Sequence, residues 1–435
     1  MWLSPQLFEQ QRGLHRLRGT TFALNFPQPV LLAHPVSLAR RRAVGWWNID
    51  TKSQDVNAQR MSRGFGRQYS AIMGLPEHAL PLAGVVVVDL TSNIAAPFTG
   101  AILADLGAEV IHVEPPAGDD ARRMSPTQGD GSAYFYVVNR NKTFITLDLR
   151  VPKDQDALFE MLATADVFVS NLRLHKLTQI GLDESALCAR FPELITAYLN
   201  AYGPHQAEVN QAGYDGVVQA RTGIIGVTGG TEPARAGVSV LDMGSGMWLA
   251  IGVLSALYQR SLTGVGSSIA TSLFETGVMW SAYHLLAHQF TGVASTRSGT
   301  GHPAFEPYGL FSTRDGQVMI GVGGDAVFSR LMGALGKSEL LSNSRFASNS
   351  ARIANREELN KIISMALSSY SSKEAIALFR IADVPADLLA LPEDLLHDFA
   401  ARAQLTEIVV NEQMVKMPAL PLRINGEYPP ITFPS

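Results

Sequence analysis

The sequence has 435 residues, of which 46% are hydrophobic and 17% are charged, and its formal net charge is -4. This length and apolar content support a large core and predict two or more domains. The near-neutral charge argues against general attraction to nucleic acid or to acidic membranes. Cys188 is the only cysteine, which excludes an intramolecular disulfide and argues against a cysteine-rich metal site. We therefore expect no metal, and a reducing, cytoplasmic location.

Residues 1–80 are predicted to be an N-terminal extension without a fold element of its own. Glu9 is the only acid before Asp50, whereas arginines are frequent. Acid-poor, arginine-rich N-termini are typical of organellar transit peptides, which is one interpretation. The interpretation that we favour is a later translation start, for which Met61 and Met73 are candidates, or a disordered tail.

A strand, a helix and a second strand follow each other from residue 81 onward. Val85–Leu90 is an apolar run that fits a strand buried on both faces. Pro97–Leu106 predicts a helix with apolar residues at spacing four, and Glu109–Val113 predicts the next strand. Such a βαβ unit implies parallel strands with a right-handed crossover.

The same alternation continues through residue 199. Strands are predicted at 144–149, 167–169 and 193–199, and a helix at 156–163. The sequence therefore predicts an α/β fold with a doubly wound, Rossmann-like large domain. The first strand–helix turn, Thr91–Ala96, lacks the GxGxxG pattern, which argues against a nicotinamide dinucleotide.

Polar residues follow several of these predicted strands, where ligands of doubly wound sheets bind. The candidate substrate-binding residues are Asn93, Lys142, Asn171 and Arg173, with Arg140 and Lys176 as further cations for phosphates. The alternative for any single lysine or arginine is a solvated surface side chain.

The remaining chain predicts a second domain inserted into the first. Residues 81–266 form the first part of the large domain, 267–348 a smaller α+β domain, and 349–435 the C-terminal part of the large domain. Helices are expected at about 245–260, 355–367 and 372–381. No apolar run approaches the roughly 20 residues of a membrane span, so no membrane partner is expected.

Three acids lie in an otherwise apolar, glycine-rich stretch at residues 211–247. Asp215, Glu232 and Asp242 are candidates for catalysis, because apolar surroundings raise the pKa and the reactivity of a carboxylate. Gly229 and Gly230 predict a turn beside Glu232. The alternative is that the acids cap helices or pair with the two arginines of the stretch.

Four long motifs stand out in the chain: LAGVVVVDLTSNIAAPFTGAILADLGAEVIHVEPPAGD (82–119), NRNKTFITLDLR (139–150), AGYDGVVQARTG (212–223) and GHPAFEPYGLF (301–311). In their order and spacing they resemble the family III coenzyme A transferases, which include formyl-CoA and carnitine CoA transferases and the α-methylacyl-CoA racemases. The resemblance covers about residues 81–410. It implies a large and a small domain and a homodimer of two interlocked subunits.

The resemblance also implies a reaction between an acyl-CoA and a carboxylic acid acceptor, without a permanently bound cofactor. An enzyme carboxylate attacks the thioester to form a mixed anhydride, and the thiolate returns to give an enzyme–CoA thioester. Counting from Tyr214, the nucleophile position falls on Glu232, whereas the family has an aspartate there. Asp242 is a candidate for a second acid of the active site.

Other positions are carried over from the same resemblance. Lys142 and Asn171 match positions that contact CoA in the family, and His112 stands where the family usually has a lysine. The mobile glycine loop of the family corresponds to Gly299, Gly301 and His302.

Two alternatives share this fold. An acyl-CoA racemase or isomerase would need a histidine where this chain has Tyr214, and a phenol with a pKa near 10 is a poor base at neutral pH. Transfer is therefore favoured over racemisation. The other alternative, a catalytically silent CoA-binding protein, is prompted by the altered nucleophile region.

Overall fold

A computed structural model describes residues 80–205 and 207–433. Residues 1–79, on which the predictions of a targeting segment, a later start or a disordered tail fall, lie outside the described residues. Within the described ranges the strands are β1 Val86–Leu90, β2 Glu109–Glu114, β3 Thr127–Gln128, β4 Gly131–Ser132, β5 Lys142–Thr146, β6 Val167–Ser170, β7 Ile195–Asn200, β8 Ser268–Ser272, β9 Tyr308–Ser312, β10 Gln317–Gly321, β11 Ala386–Leu388, β12 Leu405–Val410 and β13 Gln413–Pro418.

The α-helices of the same ranges alternate with the strands in the first half of the chain and outnumber them in the second half. They are α1 Ala95–Asp105, α2 Ala133–Asn139, α3 Pro152–Leu162, α4 Leu174–Gln179, α5 Glu184–Arg190, α6 Asp215–Arg221, α7 Ile224–Val227, α8 Val240–Thr263, α9 Leu273–Trp280, α10 Ala282–Thr291, α11 Asp325–Ala334, α12 Asn349–Ala354, α13 Arg356–Leu367 and α14 Ser372–Ile381.

A six-stranded parallel sheet forms the centre of the fold, in the order β5-β2-β1-β6-β7-β8. The chain builds outward from β1 through β2 to β5, then returns to β6 beside β1 and builds outward to β8. The strand order therefore reverses between β1 and β6, which is the doubly wound arrangement that the sequence predicts.

Helices cover both faces of this sheet. Val87 and Val167 pack on one face with residues of α1 and α8, and Val88 and Phe168 pack on the other face with residues of α3, α4 and α5. Burial on both faces explains why these strands are continuous apolar runs rather than alternating ones.

Helix α8 is longer than the sequence predicts and begins at Val240 instead of about Ser245. Among the described residues it is the one helix whose length and composition would allow it to cross a membrane, contrary to the expectation that no run is long enough. Leu249 and Val253 on one face are fully buried in the sheet core. Core packing of that face explains the apolar composition of the helix.

A second hydrophobic core surrounds the antiparallel strands β9, β10 and β11. Helices α11, α13 and α14 bury Phe328, Leu359 and Phe379 against it. The structure differs here from the predicted segments 267–348 and 349–435. β8 continues the large sheet as its sixth strand, and α13 and α14 belong to the second core because they bury their apolar faces on it.

Candidate active site

The carboxyl ends of β1 and β6 meet where the strand order reverses. Asn171, just after β6, accepts a hydrogen bond at Oδ1 from the backbone N–H of Ser92 at 3.0 Å, and its Nδ2 donates to the Ser92 carbonyl at 2.8 Å. Asn93 follows with φ of 67°, a conformation that asparagine tolerates better than most residues. Ligands of doubly wound sheets bind in this crevice. Asn93, Asn171 and the exposed Arg173 thus lie at the edge where the sequence predicts them.

Lys142 lies elsewhere, in the interior beneath α1. Its Nζ donates to the carbonyl of Pro97 at 2.8 Å and to Oδ1 of Asn139 at 2.7 Å, and it lies 2.8 Å from Oδ2 of Asp89. The side chain is completely buried, and its three N–H groups have three partners. Within the described residues no donor of Lys142 remains for a ligand, and this buried position differs from the predicted role of Lys142 in holding CoA phosphates.

Asp215 connects the start of α6 to the start of α8. It is buried, and its Oδ2 accepts the backbone N–H of Leu241 at 2.7 Å, while Oδ1 accepts Nε2 of Gln219 at 2.5 Å. Arg235 lies 3.6 Å from Oδ1. These contacts fit a structural acid that satisfies one of the free N–H groups of α8. Tyr214, the residue before it, is 71% exposed.

Asp242 lies in the first turn of α8, next to the residue that Asp215 caps. It is half-buried, and its carboxylate forms no hydrogen bond or ion pair with any described residue. Burial, and second the negative charge of Asp215, raise the pKa of Asp242 to about 7. A half-buried, unpaired carboxyl that ionises near neutral pH is typical of a functional site.

The second turn of α8 packs against the N-terminal half of α1. Oγ1 of Thr99 donates to the carbonyl of Gly246 at 3.0 Å, and a Cβ at Gly246 would lie 2.5 Å from the Ala95 carbonyl. Gly246 is one helical turn beyond Asp242 and on the same face. The N-terminal part of α8, which carries Asp242, therefore packs on α1.

Glu232 lies on an exposed turn that Gly229 and Pro233 close by a β-bridge. Its carboxylate has no hydrogen bond or ion pair within the described part of the chain. The glycine loop is beside this turn. The N–H of Gly299 donates to the Gly229 carbonyl at 2.9 Å, and Arg297 donates to the carbonyls of Gly230 and Thr231 at 3.0 and 2.9 Å.

The far end of the glycine loop is fixed to the second core. The N–H of Ala304 donates to Nδ1 of His302 at 3.0 Å, and Arg356 donates to the His302 carbonyl at 3.1 Å. Gly301 has little space, since a Cβ there would lie 2.9 Å from the Ser298 carbonyl. The loop thus connects the turn of Glu232 to the helices of the second core.

The sequence profile of CoA-transferase family III matches residues 82–434. The chain belongs to this family. The resemblance found in the motifs is confirmed, and the protein is an enzyme of the CoA-transferase class.

Named relatives of the family are similar over most of the chain. The acetyl-CoA:oxalate CoA-transferase of Acetobacter aceti is 34% identical over 80% of this chain and 90% of its own length. The succinyl-CoA:glutarate CoA-transferase of Homo sapiens is 36% identical over 70% of each chain.

A solved structure supports the same fold. The crystal structure of a CAIB/BAIF family protein from Brucella suis has a TM-score of 0.70 and 33% sequence identity, covering 82% of this chain and 95% of its own. The α/β fold predicted from the sequence is thereby confirmed for the CoA-transferase.

The sequence did not reveal a group of buried charges beneath the crevice. Asp89, His112 and Asp119 are each at most 2% exposed and lie close to one another. A signal was present, because Asp89 interrupts an apolar strand and a buried charge needs a partner. The partners could not be identified, since they come from β2, β5 and the loop after β2.

Proposed function

We propose that the protein is an acyl-CoA:carboxylate CoA transferase in which Asp242 is the nucleophile. The observation that carries the proposal is the state of the Asp242 carboxyl: half-buried, unpaired among the described residues, and with a pKa of about 7. Glu232, to which residue counting assigned this role, is exposed on a turn. Activation of a carboxylate requires desolvation, and this difference favours Asp242.

The reaction starts with attack of the Asp242 carboxylate on the thioester carbonyl carbon. The C–S bond breaks, CoA leaves as a thiolate, and Asp242 carries a mixed anhydride. The thiolate then attacks the aspartyl carbonyl, which releases the donor acid as a carboxylate and leaves an Asp242–CoA thioester. A second carboxylate takes the CoA by the reverse of these steps. Each step exchanges one acyl bond for another, so no oxidant or external proton source is needed.

The crevice between β1 and β6 is the proposed CoA site. Asn93 and Asn171 form its edge, and Arg173 and Lys176 are exposed cations that follow β6 without an ion-pair partner among the described residues. Arginine and lysine near a strand end suit the phosphates of CoA. The opposite wall is the start of α8, which brings the thioester end toward Asp242.

We also propose that the acceptor is a short dicarboxylic acid. The named relatives transfer CoA to or from oxalate, glutarate, citramalate and mesaconate, all of which carry two carboxylates. The racemase alternative has less support. Tyr214 would have to act as a base, yet its side chain is largely exposed and a phenol is ordinarily protonated at neutral pH.

The assembly is proposed to be a homodimer of interlocked subunits. Large apolar side chains are exposed along α8, α9 and α10, among them Met247, Trp248, Ile251, Met279 and Phe290. Exposure of this many large apolar side chains is typical of a protein–protein interface. A second copy of the chain is the partner that the family resemblance implies.

Turnover of matched variants tests the nucleophile. Asp242→Asn retains the size of the side chain but removes the attacking anion, so transfer should fall by about three orders of magnitude or more. Glu232→Gln, the matched control in the same stretch, should retain near-normal turnover. The assay follows CoA exchange between succinyl-CoA and a panel of dicarboxylic acids by mass spectrometry. Equal loss in both variants, or loss only in Glu232→Gln, would overturn the assignment.

A further inference from the structure

A buried charge cluster lies directly beneath the proposed CoA crevice. We define it by its members, which are Asp89 of β1, His112 and Glu114 of β2, Asp119 and Arg122 after β2, and Lys142 of β5. Four elements contribute to it, and all members except Arg122 are buried. Phe144 packs edge-on against the His112 ring at 5.7 Å and helps to exclude water.

The net charge of the cluster is zero only if His112 is protonated. Three carboxylates face two permanent cations: Lys142 lies 2.8 Å from Asp89, and Arg122 lies 2.9 Å from Glu114. The neighbouring pair Asp105–Arg140, at 2.6 Å, is neutral by itself. One negative charge is left over in the interior, where an unpaired charge is costly. An imidazolium at His112 compensates it.

His112 lies between the two carboxylates that need this charge. Its Nδ1 is 3.3 Å from Oδ2 of Asp89, and its Nε2 is 3.6 Å from Oδ2 of Asp119. Glu114 is next, at 3.9 Å from Nε2. Neither ring nitrogen has a hydrogen bond to another described residue, and neither does Oδ2 of Asp119. The ionic contacts are thus the polar interactions that hold these atoms.

Asp119 links His112 to the β1–α1 turn at the crevice. Its second oxygen, Oδ1, accepts the backbone N–H of Asn93 at 3.1 Å and that of Ala121 at 2.8 Å. One carboxylate therefore connects the His112 ring, the loop after β2 and the β1–α1 turn. The turn that carries Asn93 is held in place from below by the carboxylate that faces His112.

We propose that His112 is a positioning residue for CoA binding, because as an imidazolium it holds Asp119 and thereby fixes the Asn93 turn at the mouth of the crevice. This inference rests on the proposed CoA site. His112 does not contact the ligand itself. Loss of its proton leaves Asp89 and Asp119 facing each other across a neutral ring, which releases Asp119 and loosens the turn.

The protonation of His112 makes this arrangement, and with it the binding of CoA, depend on pH. Burial lowers the pKa of His112, but the charge of Asp89 and the contact with Asp119 raise it, and the result lies above the ordinary value in spite of the opposing charge of Lys142. The stabilisation is complete below the ordinary histidine pKa. It is lost as the pH rises through the raised pKa of the folded protein. Binding of CoA should therefore weaken on the alkaline side.

The test compares the wild type with His112→Lys and His112→Gln by calorimetric titration with free CoA from about pH 6 to 9. The wild-type dissociation constant should increase roughly tenfold across this range, as expected for a coupled site. His112→Lys keeps a cation at all these pH values and should show no such increase. His112→Gln should bind at every pH as weakly as the wild type does at high pH. If wild type and His112→Lys share one pH profile, the inference is overturned.

A second measurement decides the case independently of CoA and of any folding defect in His112→Gln. The imidazole resonance of His112, assigned by its absence in His112→Lys, is followed by NMR in the full-length protein. It should titrate above the ordinary histidine pKa of about 6.5. Titration of His112 at or below that value refutes the inference. Absence of CoA binding by the wild type at all pH values would instead refute the proposed CoA site.

In turnover assays, His112→Gln should raise KM for acyl-CoA several-fold with little change in kcat, because the turn binds the substrate and does not touch the reacting atoms. A fall in kcat at unchanged KM would contradict a positioning role.

Discussion

The raised pKa of Asp242 predicts an acid limb in the pH profile of kcat/KM. Only the ionised carboxylate can attack the thioester, and with a pKa of about 7 half of the free enzyme carries it at pH 7. At pH 6 the ionised fraction is about one-tenth and at pH 8 about nine-tenths, by the ordinary titration relation. The rate constant should therefore fall about fivefold between pH 7 and 6 and tenfold for each further unit.

Asp215→Asn identifies the group responsible for this limb. The substitution removes the negative charge that is the second cause of the raised pKa, so the limb should move to lower pH while burial still keeps it above the ordinary aspartate value. Asp315→Asn is the control. It alters an exposed acid in the turn between β9 and β10 and should leave the limb unmoved. The assay is the initial rate of CoA transfer at low acyl-CoA concentration between about pH 5 and 9. A limb near pH 4, or one that Asp215→Asn does not shift, would show that the limb does not report a raised pKa of Asp242.

Three further predictions concern stability and assembly. Lys142→Met leaves Asp89 buried without its lysine and should lower the free energy of unfolding by about 3–5 kcal/mol in urea titrations, whereas exposed Lys176→Met should cost about 0.5 kcal/mol or less. Gly246→Ala forces a methyl group toward the Ala95 carbonyl and should cost about 1–3 kcal/mol, while Gly333→Ala, with open space around it, should not destabilise. Sedimentation at micromolar concentration should show a dimer, and a folded monomer would contradict the proposed interface.

The strands of the large sheet were predictable because each is buried on both faces and leaves an uninterrupted apolar run. Val85–Leu90 and 167–169 match β1 and β6 within one residue at each end. The sixth strand, β8, was assigned to the second domain instead. It has serine and threonine at three of its five positions, so its sequence resembles a surface segment more than a buried strand.

The site was predictable only where local sequence decides the environment. Asn171 follows a strand end, and the position of a strand end is a local property. Lys142 also begins a strand, but its side chain is buried because it forms an ion pair with buried Asp89, 53 positions earlier in the chain. Neighbouring sequence likewise could not decide between Glu232 and Asp242 as the nucleophile. A glycine turn marks the first, whereas the burial of the second comes from the packing of α6, α8 and α1.

Locating the covalent intermediate shows whether Asp242 is the nucleophile. The protein is mixed with an acyl-CoA, trapped with hydroxylamine or quenched in acid, digested, and its peptides are examined by mass spectrometry. We expect a CoA or acyl adduct, or the corresponding hydroxamate, on Asp242, and none in Asp242→Asn. An adduct on Glu232 or Asp215 would show that Asp242 is not the nucleophile, as would turnover that proceeds in Asp242→Asn without loss.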